Sequence, residues 1–477
     1  MQKSVENELL AEIRRLKKRI DAQDALIAAK DKRIAELEGK VAQLSKNSST
    51  SSKSPSSDLG KGTRKSTRRP GKRKPGGQPG HEMHGRLPFA PDEVEVHPHK
   101  LDACPDCGGP VELTEDGPRV VQQVEVVEKL FHVAEHQGLV YWCAKCQKKH
   151  TAPLPQEIEK GGLFGPRLTA EVAYLKGGCH ASFSVIRKYL RDVVGIKVSR
   201  GYLRNVVEKV SKALDAAYRE ILDRLPQEAI LNIDETGHKE NGERYWTWCF
   251  RAESYAFFKI SGSRGSDVLY EVIGRAFGGV LGCDYFSAYR KYMKDGSVLV
   301  QFCLAHLIRD VRYLTTLQAP ATVAYGKRLL NGLRRLFKVF HACEAMSAEE
   351  FRVRLERVRD KILARALADV PATREAQNMA KRFLKHGQAY FQFITTPGIG
   401  PTNNLAEQAI RFVVIDRLVT QGTRSVGGRE WCERIWSVMA SCAQQGRSAF
   451  NFISESVEAY FTNRRAPSLL VPMTAPT

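Results

Sequence analysis

The sequence "EAILNIDETGHKENGERYWTWCFRAESYAFFKIS" spans residues 228–261 and gives the main evidence for the fold class. It contains the strand-like runs "EAILNIDET", "YWTWCFRAE" and "SYAFFKIS", separated by short polar turns. An amphipathic helix pattern follows at "SDVLYEVIGRAF", and a buried strand at "GGVLGCDYFSAY". Another strand, running into a helix, is predicted at "SVLVQFCLAHLIRDVRYL". Consecutive strands followed by a crossover helix and a parallel strand indicate a mixed α/β sheet.

Two predicted strands of this sheet each end at an acidic residue. Asp234, followed directly by Glu235, ends the first strand, and Asp284 ends the fourth. If these strands lie side by side, about 4.8 Å apart, their terminal side chains converge. A third acid, Glu407 in "PTNNLAEQAIR", lies one turn into a helix that "TNN" is suited to cap.

Three converging carboxylates suit divalent cations. Mg²⁺ prefers hard oxygen ligands and keeps part of its water shell, so a few carboxylates and a substrate phosphate complete its coordination. Two such ions about 3.5–4 Å apart promote in-line displacement at phosphorus. The alternative reading of the spacing is that Asp234 and Asp284 form turns and that Glu407 faces solvent.

The charge balance of the chain points to a polyanionic partner. The 477 residues include 74 Lys plus Arg against 53 Asp plus Glu, a formal net charge of +21. Such an excess favours nucleic acid first and an anionic membrane second. No apolar run approaches the roughly 20 residues of a membrane span, and the N-terminus lacks the apolar core of a secretory signal. A cytoplasmic protein is therefore expected, and the odd number of cysteines, 11, indicates reduced thiols or metal ligands.

Residues 9–44 carry a heptad pattern of apolar residues. One core position holds Ile13, Ile20, Ile27, Ile34 and Val41, and the other holds Leu9, Leu16, Gln23, Lys30, Leu37 and Leu44. β-Branched residues at the first position and Leu at the second favour a parallel two-stranded coiled coil. Packing of this helix on the protein's own body is the alternative.

The segment after this helix is rich in Ser, Pro, Gly and basic residues. Residues 47–92 cannot bury enough apolar surface to fold by themselves, so a disordered linker is expected there. Its positive charge predicts an arm that follows the DNA phosphate backbone, with a solvated linker as the alternative. The basic residues predicted to contact DNA are Arg68, Arg69, Lys72, Arg73 and Lys74.

Two Cys-x-x-Cys pairs follow the linker. Cys104 and Cys107 form the first pair, and Cys143 and Cys146 the second. Four thiolates on two turns suit one tetrahedral Zn²⁺, which would be structural because the site leaves no open position. Redox-active pairs are the alternative.

Residues 165–222 have a helical pattern. A helix ending at Gly195 and a second, basic helix with Ser199 as its N-cap resemble a helix-turn-helix. In that arrangement Arg200 and Arg204, near the start of the second helix, would contact DNA. Plain helical packing is the alternative.

Taken in this order, these features resemble the bacterial DDE transposases of the insertion sequence 66 group. The resemblance covers nearly the whole chain and rests on the coil, "KNSSTSSKSPSSD…KPGGQPGH", the double Cys-x-x-Cys, "DETG", "CDYFSAY", "CLAHLIRD" and "TNNLAEQAIR". It implies a ribonuclease-H-like catalytic core in which Asp234, Asp284 and Glu407 bind two Mg²⁺ or Mn²⁺ ions. It also implies a helical insertion that separates Glu407 from the rest of the core.

Related cores with a helical insertion also carry Cys-x-x-His after the fifth strand, matched here by Cys303 and His306. By this resemblance His306 would approach the scissile phosphate or the transferred strand, and a core histidine capping its own helix is the alternative. Arg411, one turn beyond Glu407, is expected to pair with it or with DNA. The sequence "LAHLIRD" is less basic than the resemblance implies at this position.

Two further residues lie beside the acidic triad. By the resemblance Glu235 is not a metal ligand, and a supporting structural role is expected. His238 lies four residues past Asp234, where it could touch phosphate or form part of a turn.

The predicted fold class is multidomain α/β, in which a ribonuclease-H-like mixed-sheet core with a large helical insertion follows several smaller domains. The predicted domains are a coiled-coil dimerisation helix (1–46), a basic disordered linker (47–92), a zinc-binding module (93–158), a helical DNA-binding region (159–225), the first part of the core (226–315), a helical insertion (316–399), the core helix with the Glu (400–425) and a C-terminal helical region (426–477).

The predicted function is transposition: binding the ends of a mobile element, then metal-dependent DNA cleavage and strand transfer. The predicted partners are double-stranded DNA, a second copy of this chain and accessory proteins of the same element, with no membrane, in the bacterial cytoplasm at the nucleoid. The alternatives are a non-catalytic zinc-containing DNA-binding regulator and a ribonuclease-H-like nuclease without strand transfer.

Overall fold

A computed structural model describes residues 2–44, 131–143, 145, 147–343 and 346–470, and the single positions 96, 106, 108 and 110. The predicted basic linker and its DNA-contacting residues lie outside the described residues. So do Cys104, Cys107 and Cys146, and the side chain of Cys143. The predicted zinc site and basic arm therefore stay predictions.

The N-terminal heptad segment is one continuous helix, α1 (Gln2–Leu44). The residues of the first core position are between 46% and 65% exposed, namely Ile13, Ile20, Ile27, Ile34 and Val41. An apolar stripe left in water along a helix of this length is what a coiled-coil seam requires.

A short hairpin and a set of helices precede the main sheet. Strands β1 (Val140–Cys143) and β2 (Lys148–Thr151) pair antiparallel. The helices that follow are α2 (Gln156–Gly161), α3 (Pro166–Gly177), α4 (Phe183–Tyr189), which continues as a π-helical turn (Leu190–Val194), and α5 (Arg200–Arg224). As predicted, Ser199 caps α5, because its side chain accepts a hydrogen bond from the N–H of Tyr202 at 3.0 Å.

The predicted mixed sheet is present in the described part of the chain. Its elements are β3 (Ile230–Glu240), β4 (Glu243–Arg251), β5 (Ala256–Ser261), α6 (Asp267–Ile273), β6 (Val280–Cys283), α7 (Ser287–Gly296), β7 (Leu299–Phe302) and α8 (Leu304–Leu314). The strand order is β5-β4-β3-β6-β7. Strands β3, β4 and β5 pair antiparallel, whereas β3, β6 and β7 run parallel. Helices α6 and α7 are therefore the crossover connections that lead into β6 and β7.

Helices complete the described chain. They are α9 (Pro320–Phe340), α10 (Ala348–Leu367), α11 (Arg374–His386), α12 (Asn404–Thr420), α13 (Val426–Gln444) and α14 (Ala449–Phe461). The first three lie in sequence between α8 and α12, where a helical segment is predicted. Within the described helices, no segment is both long and apolar enough to cross a bilayer.

Helix α13 covers the open edge of the sheet at β5. The N–H groups of this strand that point away from β4 donate to α13 side chains four residues apart: Ile260 to Glu433 (2.7 Å), Phe258 to Ser437 (3.0 Å) and Ala256 to Ser441 (3.1 Å). An edge strand with unpaired N–H groups would otherwise offer a template for another chain. Side chains spaced one helical turn apart on α13 thus accept the hydrogen bonds of the N–H groups at this edge.

Candidate functional site

The three predicted carboxylates come from β3, the end of β6 and α12. The parallel register that pairs Asn232 with Gly282 would, if continued by two residues, set Asp234 beside Asp284. Burial raises the pKa of Asp234 well above its usual value, and the negative charges of Glu235, Asp284 and Glu407 raise it further. These acids are therefore close enough to repel one another.

One expectation about Asp234 is wrong. The strand β3 does not end there but continues to Glu240, because its pairing with β4 extends from Asn232 to Glu240. What ends near Asp234 is the parallel pairing with β6, which stops at Asn232. Asp284 does follow the last residue of β6, as predicted.

Glu407 lies in the first turn of α12, and Asn403 holds the start of that helix. The side chain of Asn403 does not cap the helix, contrary to the expectation from "TNN". Instead its Nδ2 donates to the carbonyl of Ile233 at 2.7 Å, and its backbone N–H donates to Sγ of Cys303 at 3.2 Å. The beginning of α12 is thereby tied to the residue preceding Asp234.

His306 and Arg309, both on α8, face one oxygen of Glu407. His306 Nδ1 lies 3.5 Å and Arg309 Nη2 lies 3.4 Å from Glu407 Oε1. Burial, aided by the charge of Arg309, lowers the pKa of His306 to about 4, so its imidazole is neutral at pH 7. With Cys303 Sγ, the ligand atoms of His306 and Glu407 form a cluster within 4.8 Å. Only Oε1 takes part in these two contacts, which leaves Oε2 of Glu407 for another partner.

The loop after β6 is held by charged and aromatic side chains. Asp284 Oδ1 accepts the N–H of Phe286 at 2.8 Å. Tyr285 lies between the guanidinium groups of Arg290 and Arg382, whose central carbons are 4.6 and 3.9 Å from its ring centroid. Arg382 belongs to α11, so the helical segment between α8 and α12 contributes to the setting of Asp284.

The electrostatics of Asp284 match a site made for a cation. Burial raises the pKa of Asp284 to about 7, and the charge of Glu235 acts in the same direction. The N–H of Phe286 and the charges of Arg264 and Arg382 oppose this rise. A divalent ion would relieve the repulsion among Asp234, Asp284 and Glu407, and their carboxylate oxygens are the hard ligands that Mg²⁺ and Mn²⁺ take.

Both carboxylate oxygens of Glu235 have protein partners, and its supporting role stays a prediction. Its side chain is 2% exposed, and each oxygen has a partner: Oε1 accepts from Arg264, and Oε2 from the hydroxyl of Tyr289. Successive residues of a strand point to opposite faces, so Glu235 is turned away from Asp234. Arg264 lies in a polar turn, "GSRGSD", and no sequence signal marks it as part of the site.

His238 forms part of neither a turn nor an exposed surface. It lies within β3, is 3% exposed, and its Nε2 is 3.2 Å from the hydroxyl of Thr423. Burial lowers its pKa to about 4. The side chain of His238 therefore packs from β3 against the segment before α13. The expectation that His238 forms part of a turn is wrong.

The remaining predicted DNA contacts that the structure describes are on helices. Arg200 and Arg204 are exposed in the first two turns of α5. Arg411 is also exposed, whereas the charged partner of Glu407 is Arg309 rather than Arg411. These arginines are accessible to DNA, and their role stays a prediction.

Comparison with known proteins gives two matches along the chain. The model of the family described as "Transposase IS66 family" matches residues 161–430, more than half of the 477 residues. The model of a family of unknown function (DUF6444) matches residues 1–87. A search of curated proteins found no match.

Proposed function

Since the chain belongs to the IS66 family of transposases, we propose that it binds the ends of its own mobile element and catalyses metal-dependent DNA cleavage and strand transfer. The observation that carries this proposal is that Asp284 and Glu407, far apart in sequence, both lie close enough to Asp234 for their charges to raise its pKa. In a chain with net charge +21, an acid whose pKa is raised by burial and by the charges of other acids is unfavourable without a cation.

In the proposed site Asp234, Asp284 and Glu407 hold two Mg²⁺ or Mn²⁺ ions. When bound, such ions promote in-line attack at a phosphodiester by stabilising charge on the entering and leaving oxygens. The chain itself positions the ligands. Arg309 donates a hydrogen bond to Oε1 of Glu407, and His306 Nδ1 lies 3.5 Å from the same oxygen, which leaves Oε2 for the ions. Neutral His306 does not repel the cations.

The order of strands supports a ribonuclease-H-like core. In the order of three antiparallel strands followed by two parallel ones, Asp234 lies on the central strand and Asp284 directly follows its parallel neighbour β6. Glu407 on α12 is near enough for its charge to raise the pKa of Asp234, although 122 residues separate it from Asp284 in sequence. The helical segment 316–399 is accordingly proposed to be an insertion.

DNA binding is assigned to the N-terminal half. The exposed Arg200 and Arg204 on α5, the basic arm at 61–74 and the Zn²⁺ module at 93–158 are proposed to recognise the terminal repeats. Arg411, exposed on the helix of Glu407, is proposed to contact DNA near the reacting phosphate.

Strand transfer distinguishes this function from its alternatives. We expect the full chain, given a labelled and already cleaved element end with Mg²⁺ or Mn²⁺, to join that end to a target duplex. A nuclease without strand transfer would cut the intact end but leave the pre-cleaved end unjoined. A non-catalytic regulator would bind the end and do neither.

The apolar stripe of α1 is proposed to pair two copies of the chain. Replacing Ile20 and Ile27 by Lys should raise the dissociation constant of the dimer at least about 100-fold, because burial of each Ile contributes roughly 2 kcal/mol. A matched control adds the same charge outside the stripe through Ala22→Lys and Ala25→Lys. Sedimentation of the full chain measures the dissociation constant of the dimer for both variants. Equal dissociation constants for the two variants would refute the pairing.

A further inference from the structure

Arg264 is fixed against a buried carboxylate. Its Nε and Nη2 both donate to Oε1 of Glu235, at 3.0 and 2.7 Å. The second oxygen of Glu235 accepts the hydroxyl of Tyr289 at 2.5 Å. Because Glu235 is 2% exposed and fully satisfied, it holds one side of the guanidinium in a set direction.

Two aromatic rings fix the plane of the same guanidinium. Its central carbon lies 4.4 Å from the ring centroid of Trp246 and 4.1 Å from that of Phe286. Both distances are within the range of cation–π contacts. Phe286 is also the residue whose N–H binds Asp284, so Arg264 is held at a constant position relative to this carboxylate.

One side of this guanidinium is left for a ligand. Nη1 of Arg264 takes part in no hydrogen bond among the described residues, and 39% of the side chain is exposed. The positive charge of Arg264 acts on Asp284, whose pKa it lowers against the larger effect of burial. A rigid fork with free N–H groups, whose charge acts on Asp284, has the geometry that phosphate oxygens accept.

We propose that Arg264 binds a backbone phosphate of the DNA strand that lies in the carboxylate site, with Glu235, Trp246 and Phe286 as its positioning residues. This inference rests on the proposed function. The competing explanation is that Arg264 only neutralises Glu235 in a buried ion pair, in which case it has no ligand outside the protein.

A second ion pair on β3 provides a matched control. Arg429 Nη1 lies 2.8 Å from Oε1 of Glu240, and its guanidinium carbon is 5.9 Å from the ring centroid of Tyr245. Glu240 is five residues from Glu235, roughly 17 Å along the strand. Arg429→Gln therefore removes a similar stacked pair from the same strand, away from the carboxylates.

The test combines protein variants with DNA in which single backbone phosphates are replaced by uncharged methylphosphonates. The rate of cleavage of an element end in Mn²⁺ is measured for the unmodified protein, for Arg264→Gln and for Arg429→Gln. The DNA substrates are duplexes that each carry one methylphosphonate, placed at successive positions around the cleaved bond. For the unmodified protein and Arg429→Gln, we expect one position near the cleaved bond to slow cleavage about 10- to 100-fold, as loss of a charge-assisted hydrogen bond predicts. Arg264→Gln should be slower on ordinary DNA and show no further loss at that position.

The outcomes separate this inference from the proposed function. If Arg264→Gln keeps the full methylphosphonate effect at every position, Arg264 binds no phosphate and the ion-pair explanation stands. If the unmodified protein does not cleave with any metal, the proposed function itself fails. If Arg264→Gln does not fold, Arg264→Lys takes its place, because lysine keeps a positive charge for Glu235 but lacks the planar guanidinium. Arg264→Lys should also lose most of the slowing that a methylphosphonate causes at that one position. If Arg264→Lys keeps all of this slowing, the inference is wrong.

Discussion

Asp234→Asn is expected to lower metal-dependent cleavage of element ends by at least about 10³-fold, roughly 4 kcal/mol in barrier height. The amide has nearly the size of the carboxylate but supplies no charge to hold the cations. Binding of the DNA ends, which depends on basic residues elsewhere, should stay within about twofold in a gel-shift titration. Cleavage by Asp234→Asn at the unmodified rate would remove Asp234 from the site.

The same variant has an opposite expected effect on stability. The pKa of Asp234 is raised by burial and by neighbouring acids, so this carboxyl makes the metal-free fold less stable as the pH rises above the ordinary pKa of Asp. Asp234→Asn should therefore melt at a higher temperature than the unmodified protein without metal, and gain less when Mn²⁺ is added. The control is Glu253→Gln, an exposed acid in the turn between β4 and β5, which should change neither cleavage nor melting.

Glu433→Gln is expected to stabilise the protein at pH 8 but not at pH 4.5. Burial is the main cause that raises the pKa of Glu433 to about 7, whereas the unfolded chain has the ordinary value of 4.5. The folded state therefore binds the proton more tightly, and stability is lost as pH rises from about 4.5 to 7. A difference of about 2.5 pKa units corresponds to about 3 kcal/mol. A glutamine side chain does not ionise in this pH range, and its Oε1 can still accept the hydrogen bond from the N–H of Ile260.

Urea unfolding at pH 4.5 and pH 8, followed by tryptophan fluorescence, measures this difference. Trp436, which is fully buried, lies on the same helix and reports on its packing against β5. Glu455→Gln changes an exposed acid on α14 and should shift both curves equally or not at all. If Glu433→Gln has the same stability difference at both pH values, Glu433 is not held in its protonated form.

Periodicity along the sequence was sufficient to predict the sheet, and failed where β3 becomes polar. The runs that became β3 to β7 are apolar or alternate, as half-buried strands do. Beyond Ile233 the strand carries "DETGHKE", which is typical of a turn. These residues remain in the strand because β4 pairs with them and because residues of α12, of α13 and of the segment between these helices hydrogen-bond with Thr236, His238 and Glu240. Such partners lie about 180 residues away in sequence, so no local pattern could reveal them.

The sequence alone determined the mixed sheet, the N-terminal helix and the three acids at issue, because hydrophobic period and residue chemistry are local properties. Only the tertiary structure decided what surrounds these acids. Arg264, Trp246 and Phe286 come from three separate parts of the chain. Asn403 ties the start of the Glu407 helix to Ile233, and Arg309 donates a hydrogen bond to Glu407, both across about 100 residues or more of chain. Contacts of this kind arise when elements pack, and their geometry depends on the register of the whole sheet rather than on any single segment.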